Sequence, residues 1–302
     1  MKKSFGRALS IALVGLAMIV AFAACEINSP IAGAGAATSK SLAKNSDATL
    51  PLKVVGTAGI GAEAFFFEFD MSGTQKFARA FIPVSPDGFL KNGKILYKKE
   101  RYVLKNFVYD PAVDPTSQDP NLWGSTATVA GVSYFFAGKY SDQTGFVGNI
   151  VRIVNGVANG GERDLFHGTP IFKGQIADNY IGIASFDFNS DTLALIFNAV
   201  IDKSDGIIRG SWCETKPASE VTGSAFNIHG YVFGTRNSAE NSVSFQGSYL
   251  PGIGYEDILG QLNATGTGTY KNAGEKAING KFVIDWNGMP LNSDFVAERV
   301  EN

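Results

Sequence analysis

From Leu50 onward, apolar and polar residues alternate with a period of two. In "INGKFVIDW", Ile278, Gly280, Phe282, Ile284 and Trp286 fall on one face, and in "SVSFQGSY", Val243, Phe245, Gly247 and Tyr249 do the same. Successive side chains of a strand point to opposite faces, so this pattern predicts strands with one buried face. "YVLKNFVY" and "YIGIASFDF" alternate less cleanly, with apolar residues partly on both faces. With "AEAFFFEFD", "KFARAFIPV", "VSYFFAGKY", "FVGNIVRIV", "LALIFNAVI" and "NIHGYVF", roughly a dozen strands are predicted. The spacers "SPDG", "KNG", "SDQTG", "DKSDG" and "YKNAGEK" carry turn residues. Helical periodicity is nearly absent, and one short helix is predicted around "YEDILGQL".

A local pattern, Gly-x-aromatic, recurs at Gly138/Tyr140, Gly210/Trp212, Gly247/Tyr249, Gly268/Tyr270 and Gly280/Phe282. Residues two apart in a strand share a face, so each glycine is expected beside the ring of its own strand. Glycine lets a strand coil sharply, and an adjacent ring covers the bared backbone. The expected fold is therefore all-β: an antiparallel, strongly coiled sheet forming a barrel. A β-sandwich or jelly roll, or two small β domains, would need similar glycine bends. The Gly-x-aromatic spacing resembles strands of calycin-type barrels such as lipocalins and avidins. A barrel interior lined by alternating aromatics would suit a hydrophobic small molecule.

The N-terminal region reads differently. "MKKSFGR" carries Lys2, Lys3 and Arg7, and "ALSIALVGLAMIVAFAA" follows without a charge. A basic start, an apolar run and small residues at its end form a secretory signal peptide. The run is slightly short for a membrane-spanning helix. Phe22, Ala23, Ala24 and Cys25 resemble the lipobox of bacterial lipoproteins, in a relaxed form similar to that of spirochaetes. Phe22 departs from the usual aliphatic residue. The resemblance implies cleavage before Cys25 and acylation of its sulfur and new amino group. Each buried methylene contributes about 0.8 kcal/mol, and two or more chains anchor stably. Residues 1–24 are thus expected to be a signal peptide, and 25–48 a lipidated cysteine with a flexible tether. Residues 49–302 form a β-rich domain. The Gly-rich, non-alternating stretch "VNGVANGGERDLFHGTP" (154–170) offers a subdivision near 155–170 as the alternative to a single domain. The expected location is exported and lipid-anchored to the cell membrane or outer membrane, the domain periplasmic or surface-exposed. Membrane lipid is the partner through acylated Cys25.

Composition sharpens this reading at a few points. Charged residues are only 18% and the formal net charge is −2, so no nucleic-acid partner is expected from a broad basic surface. The cluster Lys98, Lys99 and Arg101 reads as a solvated strand end. With Cys25 lipidated, Cys213 is left alone, and its context "IIRGSWCE" predicts a buried, inert thiol with no histidine nearby in sequence.

The chain has no Gly-x-Ser-x-Gly, His-Glu-x-x-His, Gly-Lys-Ser/Thr or Cys-x-x-Cys sequence. No cofactor, metal site or catalytic residue is expected from motifs. Of the two histidines, His167 sits in "DLFHGTP", read as a turn. His229 sits mid-strand in "FNIHGYVF", on the face shared by Asn227 and Tyr231. His229 is either a hydrogen-bonded strand residue or a ligand contact inside a barrel. The other candidate ligand contacts are Tyr231, Trp123, Trp212 and Trp286. Glu68, Asp187, Asp285 and Glu256 are the carboxylates in or near strands that a glycosidase pair would need. "DFNSD" (187–191) begins like a calcium loop but has Thr192 and Asn198 where Gly and Glu are needed, and reads as a hairpin turn. Asp110, Asp114 and Asp119, each before a proline, suggest a rigid loop presenting Trp123.

Three functions follow as expectations. The leading one is a cell-envelope lipoprotein whose non-enzymatic β-domain binds a hydrophobic small molecule, a glycan or a protein. A secreted-type hydrolase using paired carboxylates and a structural or adhesive surface protein are the alternatives. An outer-membrane barrel fits less well, because the strands lack consistent apolar-out, polar-in segments.

Overall fold

A computed structural model of the chain describes residues 51–301, apart from 62, 84–89, 92–93, 96, 111–112, 114–118, 142–144, 160–163, 189–190, 216–226, 251–254, 260–261, 272–273 and 287. The strands are β1 (Lys53–Ile60), β2 (Glu63–Asp70), β3 (Phe77–Pro83), β4 (Leu90–Lys91), β5 (Lys94–Ile95), β6 (Tyr97–Tyr109), β7 (Leu122–Thr126), β8 (Val132–Ser141), β9 (Gly145–Val154), β10 (Val157–Asn159) and β11 (Leu165–Ile171). They continue with β12 (Ala177–Phe188), β13 (Asp191–Asp202), β14 (Ile207–Glu214), β15 (His229–Asn237), β16 (Ser242–Tyr249), β17 (Leu262–Tyr270), β18 (Ala277–Trp286) and β19 (Met289–Arg299). The helix expected around "YEDILGQL" is α1 (Tyr255–Leu259), between β16 and β17.

The expected barrel is present twice. In the first, β1-β2-β3-β6-β7-β8-β9-β11 follow one another as antiparallel neighbours and β11 pairs back onto β1. In the second, β12 to β19 form an uninterrupted meander closed by β12 on β19. The paired strands β4 and β5 precede β6, and β10 hangs on β9. Asn155 and Gly156, both at positive φ, turn β9 into β10; two such residues make the hairpin turn that matches strand twist. The first barrel passes to the second through residues 172–176.

Eight strands enclose a space that side chains just fill. In the first barrel Phe65, Phe67, Phe69, Tyr102, Tyr134, Phe136, Phe146 and Phe166 fill it, with Phe69 stacked on Phe136 at 4.5 Å between centroids. A void of about 20 Å³ remains beside Phe65, Tyr102 and Tyr134. In the second, Phe186, Phe197, Trp212, Phe245, Tyr249, Phe282 and Phe295 belong to one core.

The glycines act with these rings, but across strands rather than along one. Phe197 covers its cross-strand partner Gly182, Phe245 covers Gly266 and Trp212 covers Gly230. A Cβ at these glycines would lie 2.2–2.3 Å from the ring. Glycine is therefore required by the close approach. Among the Gly-x-aromatic elements, Gly268 and Gly280 meet the Phe295 ring of β19 instead of the ring two residues on, which corrects the expectation of same-strand cover. Outward positions of the second barrel are polar on its open side: Ser244 and Gln246 on β16, and Thr265, Thr267 and Thr269 on β17, are exposed. Apolar inside and polar outside is the reverse of the order in a bilayer-spanning barrel.

Candidate functional site

Two strands of the first barrel break the one-sided pattern. Every residue of β11 is buried, and so is every residue of β1 after Lys53. One face of β1, with Val54 and Ala58, enters the barrel core. The other face packs with β11 against β13, β14 and β15 of the second barrel. This seam gathers both histidines and the buried cysteine.

Its centre is a hydrogen-bond chain between barrels. Thr57 donates from its backbone N and its Oγ1 to Ser211 Oγ, at 3.0 and 2.9 Å. Ser211 Oγ in turn donates to Asn198 Oδ1 at 2.5 Å, and Asn198 Nδ2 reaches the Val55 carbonyl at 3.4 Å. The serine hydroxyl thereby uses its one proton and both lone pairs. Thr57, Asn198 and Ser211 are at most 1% exposed. Apolar groups flank this strip: Phe66 and Phe81 from the first barrel and Ile95 from the β4–β5 pair meet Ile181, Ile183, Ile196 and Cys213 from the second.

His167, expected in a turn, lies in the middle of β11. Its Nδ1 lies 2.9 Å from the Gly230 carbonyl of the second barrel; a carbonyl only accepts, so Nδ1 carries the proton. His229 is on the outer face of its barrel, pointing into the seam rather than into the interior, and is fully buried. Its cross-strand partner is Cys213, with Sγ 3.6 Å from Nε2. His229 Nδ1 has no hydrogen-bond partner among the described residues. Burial first, and then the nearby His167, push the His229 pKa down to about 3. Burial, and then the Glu214 carboxylate, hold the Cys213 thiol well above its ordinary range.

At neutral pH this is therefore a thiol beside a neutral imidazole, both sealed from solvent. A catalytic cysteine needs a thiolate and an open approach, and this pair has neither. Its chemistry is that of a joint: polar groups that fix how two barrels register. The histidine beside Cys213 escaped sequence reading because the two are 16 residues apart and meet only through strand register.

The other candidate contacts do not converge. Trp212 is inside the second barrel, its Nε1 donating to the Ser248 carbonyl at 3.1 Å. Tyr231 is half-buried on the outer face of β15, with its ring 5.6 Å from that of Phe233. Trp123 is half-buried on the outer face of β7. Trp286 ends β18, and its side chain lies outside the described residues, as does Cys25. The carboxylates have separate local roles. Glu68 is ion-paired with Arg79 and with Lys53, Asp285 accepts from the Gly288 backbone N at 2.8 Å, and Glu256 is exposed on α1. The Asp187 side chain, Asp114 and residues 189–190 of "DFNSD" lie outside the described residues, although the pairing of Phe188 with Asp191 is that of a hairpin. Among the described residues no cluster of three metal-ligating side chains occurs. No protein-family model and no curated protein sequence matches the chain.

Proposed function

We propose that the chain is a cell-envelope lipoprotein without enzymatic activity. Cys25 carries the acyl anchor, 26–48 form the tether, and the twin barrels act through their outer surface on a macromolecular partner. The observation that carries this reading is the filled interior of the first barrel. A pocket for a small hydrophobic molecule takes about 300 Å³ or more, against about 20 Å³ here. That moves the weight from a carried small molecule to surface contact with a protein, glycan or lipid surface. The neutral, sealed Cys213–His229 pair and the separately engaged carboxylates leave a hydrolase without a supporting observation. Metabolic labelling with palmitate tests the anchor: wild type incorporates label and Cys25→Ala does not. Equal labelling of the two would contradict the reading.

A further inference from the structure

Residues 76–105 hold eight basic side chains and two acidic ones, Asp87 and Glu100, while the rest of the chain holds 18 basic against 26 acidic. The surplus is concentrated on one stretch, β3 to β6. Of its described cations, Arg79 is held by Glu68 and Asp70, and Lys98 by Glu100. Lys99, Arg101 and Lys105 are exposed, alternate along the outer face of β6, and pair with no carboxylate among the described residues. Two of them are laid over rings of β3: the Arg101 guanidinium is 3.5 Å from the Phe77 ring centroid and Lys99 Nζ is 5.4 Å from that of Phe81. Lys76 lies over Phe107 at 5.5 Å. These contacts hold the stems flat while leaving the charges outward. Glu298 and Glu301 are near Tyr97 at the far end, so the surplus is greatest toward Lys105.

That end is also where the chain enters the barrel. Leu52 accepts a hydrogen bond from the Met71 backbone N, and Lys76 accepts one from that of Leu104. Leu52 therefore lies at the same end of the barrel as Lys76 and Lys105, with β2 and β3 between it and β6. Only 26 residues separate Cys25 from Leu52, so an anchor at Cys25 would keep this end of the barrel near the surface that holds it.

We propose that the β3–β6 face of the first barrel is a docking surface for anionic lipid headgroups, laying the barrel down on the bilayer. The proposal rests on the anchored reading for its geometry, but the face itself is testable without acyl chains. Each cation near an anionic bilayer multiplies partitioning by about five, so three are worth on the order of a hundredfold. The direct test is co-sedimentation of the full-length chain carrying Cys25→Ala with phosphatidylcholine vesicles, with and without phosphatidylglycerol. Anionic vesicles should bind more protein, and Lys99→Glu/Arg101→Glu/Lys105→Glu, which removes three cations and adds three anions, should lower that partitioning by at least about a hundredfold. Reversing three exposed lysines elsewhere, Lys173, Lys271 and Lys281, should leave it nearly unchanged. Circular dichroism of each variant verifies folding, and all six positions are exposed. A β6 variant that keeps the phosphatidylglycerol dependence overturns the proposal. So does wild-type protein that binds soluble heparin but prefers neither vesicle. Failure of palmitate labelling would remove the anchor while leaving this comparison to stand or fall separately.

Discussion

The two barrels have similar interiors and unlike exteriors. Both close eight antiparallel strands around aromatic rings. The second is an unbroken meander whose open side presents Ser, Thr and Gln on β16 and β17. The first carries the β4–β5 insertion, a bulged β6 with Asn106 at positive φ, and the cationic ribbon. Filling an eight-stranded barrel is a packing problem, and both halves solve it with rings against glycines. What the molecule does to its surroundings has to be sought where the halves differ. The seam is a third case, since there the exterior of each barrel has become the interior of the whole.

If seam positions behave as core, they should titrate as core. Neutral His229 has its pKa depressed from 6.5 to about 3 in the folded chain, so the folded state takes up its proton later than the unfolded one. Its stabilisation is complete above pH 6.5 and is lost as pH falls toward 3. At 1.36 kcal/mol per unit this is on the order of 5 kcal/mol in total. Urea unfolding from pH 7.5 down to 5.5, above most carboxylate titration, should show a falling midpoint, flattened in His229→Gln. A midpoint constant over that range would count against the sealed histidine.

Next in size is Ser211→Ala. It leaves the Thr57 donors buried and unpaired, at a cost of about 2–3 kcal/mol, readable as a shift in urea midpoint. Gly266→Ala tests the interior: its Cβ would sit 2.2 Å from the buried Phe245 ring, for about 1–3 kcal/mol. Smallest is Thr267→Ala on the open side of the second barrel. Its exposed hydroxyl should be worth less than about 0.5 kcal/mol. Equal losses at Ser211 and Thr267 would erase the distinction between seam and open face.

Sequence legibility followed burial. β16 and β18 face water on one side, so their alternation survives in the sequence and marks their inward residues. β1 and β11 are buried on both sides, and "DLFHGTP" consequently showed no alternation and placed His167 in a turn. The Gly-x-aromatic elements point to a barrel, but the Trp212 ring lies across on Gly230, and Gly268 and Gly280 meet Phe295 of β19. Register decides such pairs, and spacing along one strand does not contain it. The same limit hid the meeting of Cys213 with His229, and of Thr57 with Ser211, 154 residues apart. The basic cluster of β6 was visible, but its Phe77 and Phe81 supports depend on β3 pairing with β6.

The first barrel is filled, and on this reading the molecule works from outside. Calorimetric titration of the full-length protein with a medium-chain fatty acid puts this to the test. With about 20 Å³ free beside the rings of the first barrel, no saturable heat is predicted, whereas Phe136→Ala, which opens that core, provides a comparison in which uptake can appear. Saturable uptake of one fatty acid per chain by the wild type would show that an interior site is open after all.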